Sequence, residues 1–168
     1  MSRVLVVCFS RSGRTRSLGT TLAACLRADF EAITEPADRA GVSGYLRSLA
    51  DTLFGRSVRL DPPQHNVTRY DVVIIGTPVW AGKVSAPVRA WLAANRRKLP
   101  HVAFFCTQRA CGAATVFADM KKFVGKQPVA RCTITGTPRA DDERRVIDTF
   151  VKQIERRLAR IDNLESVV

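Results

Sequence analysis

The chain predicts an α/β domain built on a doubly wound parallel sheet covered by helices on both faces, a three-layer arrangement. Three observations carry that expectation. Nearly uniform apolar runs occur at Val4 to Phe9, Val72 to Gly76 and His101 to Cys106, as strands buried on both faces require. They alternate with stretches whose apolar residues recur every three or four positions, and that alternation is the signature of parallel strands joined by crossover helices. The first run stops abruptly in Ser10-Arg11-Ser12-Gly13-Arg14-Thr15 before a helical pattern begins.

Strand Val4 to Phe9 leads into helix Gly13 to Leu26, followed by strand Asp29 to Thr34. Residues 36–69 interrupt the rhythm and form an elaborated crossover. Within it, Gly41 to Phe54 is helical by the spacing of Leu46, Leu49 and Leu53, and Asp61 to Asn66 is turn-rich. Strand Val72 to Gly76, helix Val84 to Arg97, strand His101 to Cys106 and helix Gly112 to Phe123 come next. Val129 to Thr135 alternates Ala130, Cys132 and Ile134 with polar partners, the pattern of an edge strand, and Val146, Phe150, Ile154, Leu158 and Ile161 mark a final helix. Five strands and their crossovers thus fill residues 1–168 as one domain, and no internal repeat, low-complexity tract or linker is evident.

Composition narrows the class. With 168 residues, 46% of them hydrophobic and 25% charged, the chain can bury a core without disulfide support. Five scattered cysteines, an odd number, four of them in apolar periodic segments, are unlike a secreted disulfide framework; most are expected reduced and buried. No apolar stretch approaches a membrane span, no leader peptide is evident, and a cytoplasmic location is expected. The net charge of +12 invites a nucleic-acid partner, but the basic residues fall in small groups and no nucleic-acid-binding motif accompanies them, so none is expected. His65 and His101 lie in no spaced cluster of ligands, and no metal site is expected.

Ligands of a doubly wound sheet sit beyond the carboxyl ends of its strands. Three segments should converge there. Ser10 to Thr15 is a phosphate-binding turn: Ser10, Ser12 and Thr15 offer hydroxyls, Gly13 lets the backbone approach, and the helix behind it supplies unpaired amides and a favourable dipole. The second segment is Gly76-Thr77-Pro78-Val79-Trp80-Ala81-Gly82-Lys83, and the third is Cys106-Thr107-Gln108-Arg109-Ala110-Cys111-Gly112. Trp80, a large aromatic on a loop of small residues, is shaped to lie against a planar ligand, whereas Trp91 sits mid-helix and reads as core. Gly76 to Lys83 is not a nucleotide P-loop, because its glycine spacing is wrong and Val84 stands where a hydroxyl is needed.

Together these segments resemble the flavodoxin-like family, whose phosphate loop Ser/Thr-x-Ser/Thr-Gly-x-Thr is matched at Ser10, Ser12, Gly13 and Thr15; Tyr70-Asp71 and Gly76 to Trp80 with Gly82 are similar to its ring-binding segment. The resemblance implies a strand order of 2-1-3-4-5 and noncovalent flavin mononucleotide (FMN). Phosphate would be held by Ser10, Arg11, Ser12, Gly13, Arg14 and Thr15. Thr77, Pro78, Val79, Trp80, Ala81 and Gly82 would line the ring on one side, and Thr107, Gln108, Cys111 and Gly112 on the other. It also implies electron transfer between a donor and an acceptor such as NAD(P)H, a quinone or a partner protein, as an FMN-dependent oxidoreductase, a nonenzymatic carrier or a binding module. Two departures favour a reductase: the chain is basic where carriers are acidic, and its third segment lacks the tyrosine that often covers the ring. Three roles are open to Arg11, Arg14 and Arg16: to pair with phosphate, to attract an anionic substrate, or to bring the protein weakly to an anionic membrane surface. Cys8 with Arg14 and Thr15 also fits the Cys-x5-Arg-Ser/Thr pattern of low-molecular-weight phosphatases, with Cys8 as a thiolate nucleophile; the third segment, however, carries no carboxylate to act as general acid.

Overall fold

Strands that can leave neither face to water take the middle of the sheet. In the computed structural model, which describes residues 3–36, 50–52, 54, 55 and 58–165, these are β1 (Val4–Cys8), β3 (Val72–Trp80) and β5 (His101–Gln108). They are flanked by β2 (Asp29–Ala32) and β6 (Arg131–Thr135) in the order β2-β1-β3-β5-β6, every neighbouring pair parallel. The register sets Val6 between Phe30 and Ile74, and Phe105 opposite Cys132. The expected 2-1-3-4-5 order is this one, apart from a sixth strand that the sequence reading lacked: β4 (Lys83–Val84), antiparallel to the end of β3. β6 is an edge strand with alternating burial, as its composition predicts.

Four helices bounded within the described residues cover the faces. α1 (Arg14–Leu26) and α4 (Ala140–Glu165) bury Leu18, Leu22, Phe150 and Ile154 against Val4, Val6, Ile74 and Phe105. α2 (Ala86–Asn95) and α3 (Ala113–Val124) bury Val88, Leu92, Val116 and Met120 against Leu5, Val7, Ile75 and Phe104 on the other side. Each such fully buried side chain contributes about 1.5–3 kcal/mol. Trp91 is core, as expected, on α2. Of the crossover helix expected over 41–54, residues 50–52 are helical and Phe54 lies in a turn; residues 41–49 and 53 lie outside the described residues.

β3 does not end at Gly76 but continues through Trp80. Pro78 is tolerated there because β1 has already stopped, at the partner of Gly76, so one side of β3 no longer needs a donor at that position. Gly76 itself is required by packing: a Cβ built on it would stand 2.0 Å from Cζ of Phe105, a ring buried completely under α1 and α4. Gly76→Ala is therefore expected to cost roughly 2–3 kcal/mol of overpacking and to lower Tm by about 6–10 °C. Gly76→Ala combined with Phe105→Leu should recover part of that loss, and thermal denaturation of both variants checks the pair.

Candidate functional site

Because the sheet is parallel, the turns after β1, β3 and β5 meet at one edge. The first turn enters α1 through Gly13, whose φ is +88° and which makes no side-chain cap, so the first amides of α1 are left without one. Ser10 Oγ is buried without a hydrogen-bond partner. Thr15 is buried, and its hydroxyl lies 2.8 Å from that of Thr107, tying the first turn to the third. Only one proton can lie between two hydroxyls, so whichever oxygen accepts keeps its own proton for another acceptor.

The second segment is a hairpin rather than an open loop. Trp80 pairs with Lys83 across Ala81 and Gly82, whose φ values of +49° and +70° make a tight left-handed turn. Ala81 adopts that conformation at a cost of about 1–2 kcal/mol, the kind of local strain that collects at functional sites. The third segment is braced by Gln108. Its Oε1 accepts from Ala113 N–H (2.8 Å) at the start of α3, and its Nε2 donates to Thr135 Oγ1 (2.9 Å). Gly112 (φ +113°) presses on the hairpin: a Cβ there would lie 2.9 Å from Val79 Cγ1 and 3.0 Å from Gly82 Cα, so the second and third segments fit together only around a glycine.

Between the three turns lies a cavity of about 650 Å³, lined by Arg11, Ser12, Arg14 and Thr15, by Pro78 to Gly82, and by Thr107 to Cys111. The volume suits a cofactor-sized ligand. Among the described residues three arginines line it and no carboxylate does. Trp80 forms part of the wall, half-buried and held edge-on against Phe9 with ring centroids 5.8 Å apart. Arg109, which the sequence places in the third segment without a role of its own, is among the lining residues. Ser10, Gly13 and Gly112 shape the walls from behind without lining the cavity. Thr77, expected at the ring, is turned inward instead: it is fully buried and its hydroxyl contacts Pro78 O (2.9 Å) and Ser85 Oγ (3.1 Å), holding the hairpin to the start of α2.

The cysteines divide by environment. Cys8, Cys106 and Cys132 are buried and Cys25 and Cys111 exposed, all five as free thiols. Burial pushes the Cys8 thiol up to about 12, against a smaller opposing effect of Arg16, and its Sγ lies 3.8 Å from Thr15 O. Burial likewise raises Cys106 to about 11, partly offset by Thr133. A phosphatase nucleophile must be a thiolate. Cys8 is held as a thiol beneath the turn, no carboxylate lines the cavity, and Asp61 of the sole Asp-Pro pair belongs to a separate pocket beside Glu31 and Trp91.

No protein-family model and no curated protein matches the chain. Solved structures do. A flavoprotein from Lactobacillus acidophilus NCFM, crystallised in complex with FMN, superposes with a TM-score of 0.67 at 18% identity, over 79% of this chain and 93% of that one. Oxidised flavodoxin 1 from Bacillus cereus does so at 0.59 and 14%, over 92% and 98%. Rubredoxin:oxygen oxidoreductase from Desulfovibrio gigas matches at 0.63 and 15%, over 95% of this chain but only 37% of that longer protein. The fold is flavodoxin-like, as the motif resemblance implies.

In native protein near pH 8, a chromogenic disulfide reagent is expected to titrate two thiols quickly, those of Cys25 and Cys111, and to reach the remaining three only on unfolding. Cys111→Ser should remove one rapid equivalent and Cys8→Ser none. Rapid reaction of Cys8 would restore the nucleophile reading.

Proposed function

We propose that the cavity binds FMN and that the chain is a redox protein, an FMN-dependent oxidoreductase with a small-molecule donor or acceptor. One observation carries the reading: three strand-to-helix turns converge on a single cavity lined by three arginines, with an indole in its wall. The residues present suit the group. Arg11, Ser12, Arg14 and Thr15 would hold the phosphate, together with the uncapped amides of α1, and the buried, partnerless Ser10 Oγ is a hydroxyl that a phosphate acceptor would satisfy. Trp80 would pack on the ring system, and the strained Ala81–Gly82 turn, backed by Gly112, would present backbone groups to it. When bound, the flavin supplies the electron-transfer chemistry, and the protein supplies position, polarity and access.

Access supports an enzyme over a carrier. Among the described residues Trp80 is the one aromatic that lines the cavity, and the third segment contributes Arg109, Ala110 and Cys111, all exposed. Arg109 at that opening suits an anionic substrate such as a reduced nicotinamide nucleotide. A quinone is the acceptor class that family chemistry suggests.

Reconstituted with FMN, the protein should be yellow and bind FMN more tightly than riboflavin, which lacks the phosphate. Arg14→Ala should weaken FMN by about 10- to 100-fold, the equivalent of about 1.5–3 kcal/mol for a charge-assisted hydrogen bond, while leaving riboflavin nearly unchanged. Trp80→Ala should weaken both by about tenfold through lost ring contact. Isothermal titration and visible absorbance check each. A protein that binds neither flavin sinks the reading. Turnover of NAD(P)H with a soluble quinone by the yellow protein would establish the enzyme, and reduction only through a protein partner would make it a carrier.

A further inference from the structure

The charge of this chain is concentrated in one part of it. Residues 72–140 contain eleven Lys and Arg against a single carboxylate, Asp119, which accounts for +10 of the net +12. Six of those cations sit where α2 and α3 end. Arg96, Arg97 and Lys98 follow α2, Lys121 and Lys122 occupy the last turn of α3, and Lys126 lies just past its Gly125 cap; all six are exposed. The two helix ends are joined there, because Lys126 Nζ donates to the carbonyls of Leu99 and Pro100 in the turn leaving α2. Phe123 stands among these lysines with 37% of its surface exposed.

Satisfying helix C-terminal carbonyls and dipoles explains one or two cations per helix. Lys126 already performs that service for the turn after α2 and shares a surface pocket with Asp71, and the other five project from the same end with no carboxylate in 93–98 or 120–127. We infer that this surface, formed by the C-terminal ends of α2 and α3, docks on anionic lipid headgroups. A bilayer asks for sign and density of charge rather than a shaped complement, and clustered cations around an exposed aromatic are the combination that lies at a headgroup boundary. Attachment is peripheral: among the described residues no helix is long and apolar enough to cross a membrane.

The location changes what the charge does. Crossover helices run antiparallel to the strands, so the ends of α2 and α3 lie at the edge of the sheet opposite the cavity, whereas Arg11 and Arg14 belong to the cavity. Docked in this way, the protein presents its cavity to water and not to the lipid, and its substrates arrive from solution. A lipid-dissolved acceptor is the wrong class for that orientation.

Cosedimentation of the full-length protein with vesicles tests this. On phosphatidylcholine containing about 30% phosphatidylglycerol, at about 0.1 M salt, the bound fraction should exceed that on pure phosphatidylcholine by roughly tenfold and fall to the neutral-vesicle level at about 0.5 M salt. The triple variant Arg96→Glu, Arg97→Glu, Lys121→Glu should lose the anionic preference while keeping its circular dichroism and Tm. Reversing two cations at the other edge, Lys83→Glu with Arg139→Glu, should leave most of it. Phe123→Ala should lower binding severalfold. Equal binding to neutral vesicles, unchanged binding by the triple variant, or retention on single-stranded nucleic acid without vesicle binding would overturn the inference. The assay is independent of flavin, so its failure and the failure of the FMN reading are separate results.

Discussion

Parallel pairing of β1, β3 and β5 is the constraint on which the molecule depends. It puts every strand's carboxyl end, and therefore the start of every following helix, on one edge of the sheet, and the close of every crossover helix on the other. The two edges are electrically unlike before any side chain is considered, with amide N–H groups and positive helix ends at one and carbonyls and negative ends at the other. The cavity gathers where amides are free, and the ends of α2 and α3, where carbonyls are, carry more lysines and arginines than that polarity calls for.

Much of this was legible in the residues because it rests on short, local chemistry. Two-sided burial makes Val72 to Ile75 and Val102 to Phe105 uniformly apolar, and a turn that leaves helix amides open must be small and hydroxylated, as at Ser10 to Thr15. What escaped rests on pairing across space. Ala81-Gly82 lacks the Asn-Gly or Asp-Gly that announces a two-residue hairpin, so β4 and the full length of β3 were hidden, and Ala81 is left-handed only because the Trp80–Lys83 pairing imposes it. Thr77 read as a ligand group because it flanks the glycine that ends the apolar run; alternation along a strand that continues sends it inward to Ser85. Arg109 had no role of its own in the sequence because nothing in its neighbours distinguishes a cavity rim from an ordinary exposed turn.

The walls of the cavity are held by contacts that never reach it. The Thr15–Thr107 hydroxyl pair joins the first turn to the third, Gln108 joins the third to β6 and α3, and Gly112 seats the third against the hairpin. Three segments far apart in sequence are thereby fixed to one another by neutral hydrogen bonds and close packing.

Charge in the cavity then bears on the direction of electron flow. Arg11, Arg14 and Arg109 share one cavity with no carboxylate among its lining residues, and in a site partly shielded from water such charges act at a lower effective dielectric than in bulk solvent. They favour the more negatively charged state of whatever is bound. For a redox group that gains electrons, this is the reduced state, so a cavity of this sign pulls electrons in where an acidic one pushes them out. On the FMN reading proposed above, a cationic cavity suits taking electrons up, where an acidic one suits delivering them at low potential. Fold and motif are shared between the two kinds of protein, and the difference in chemistry resides in a few side chains on the turns.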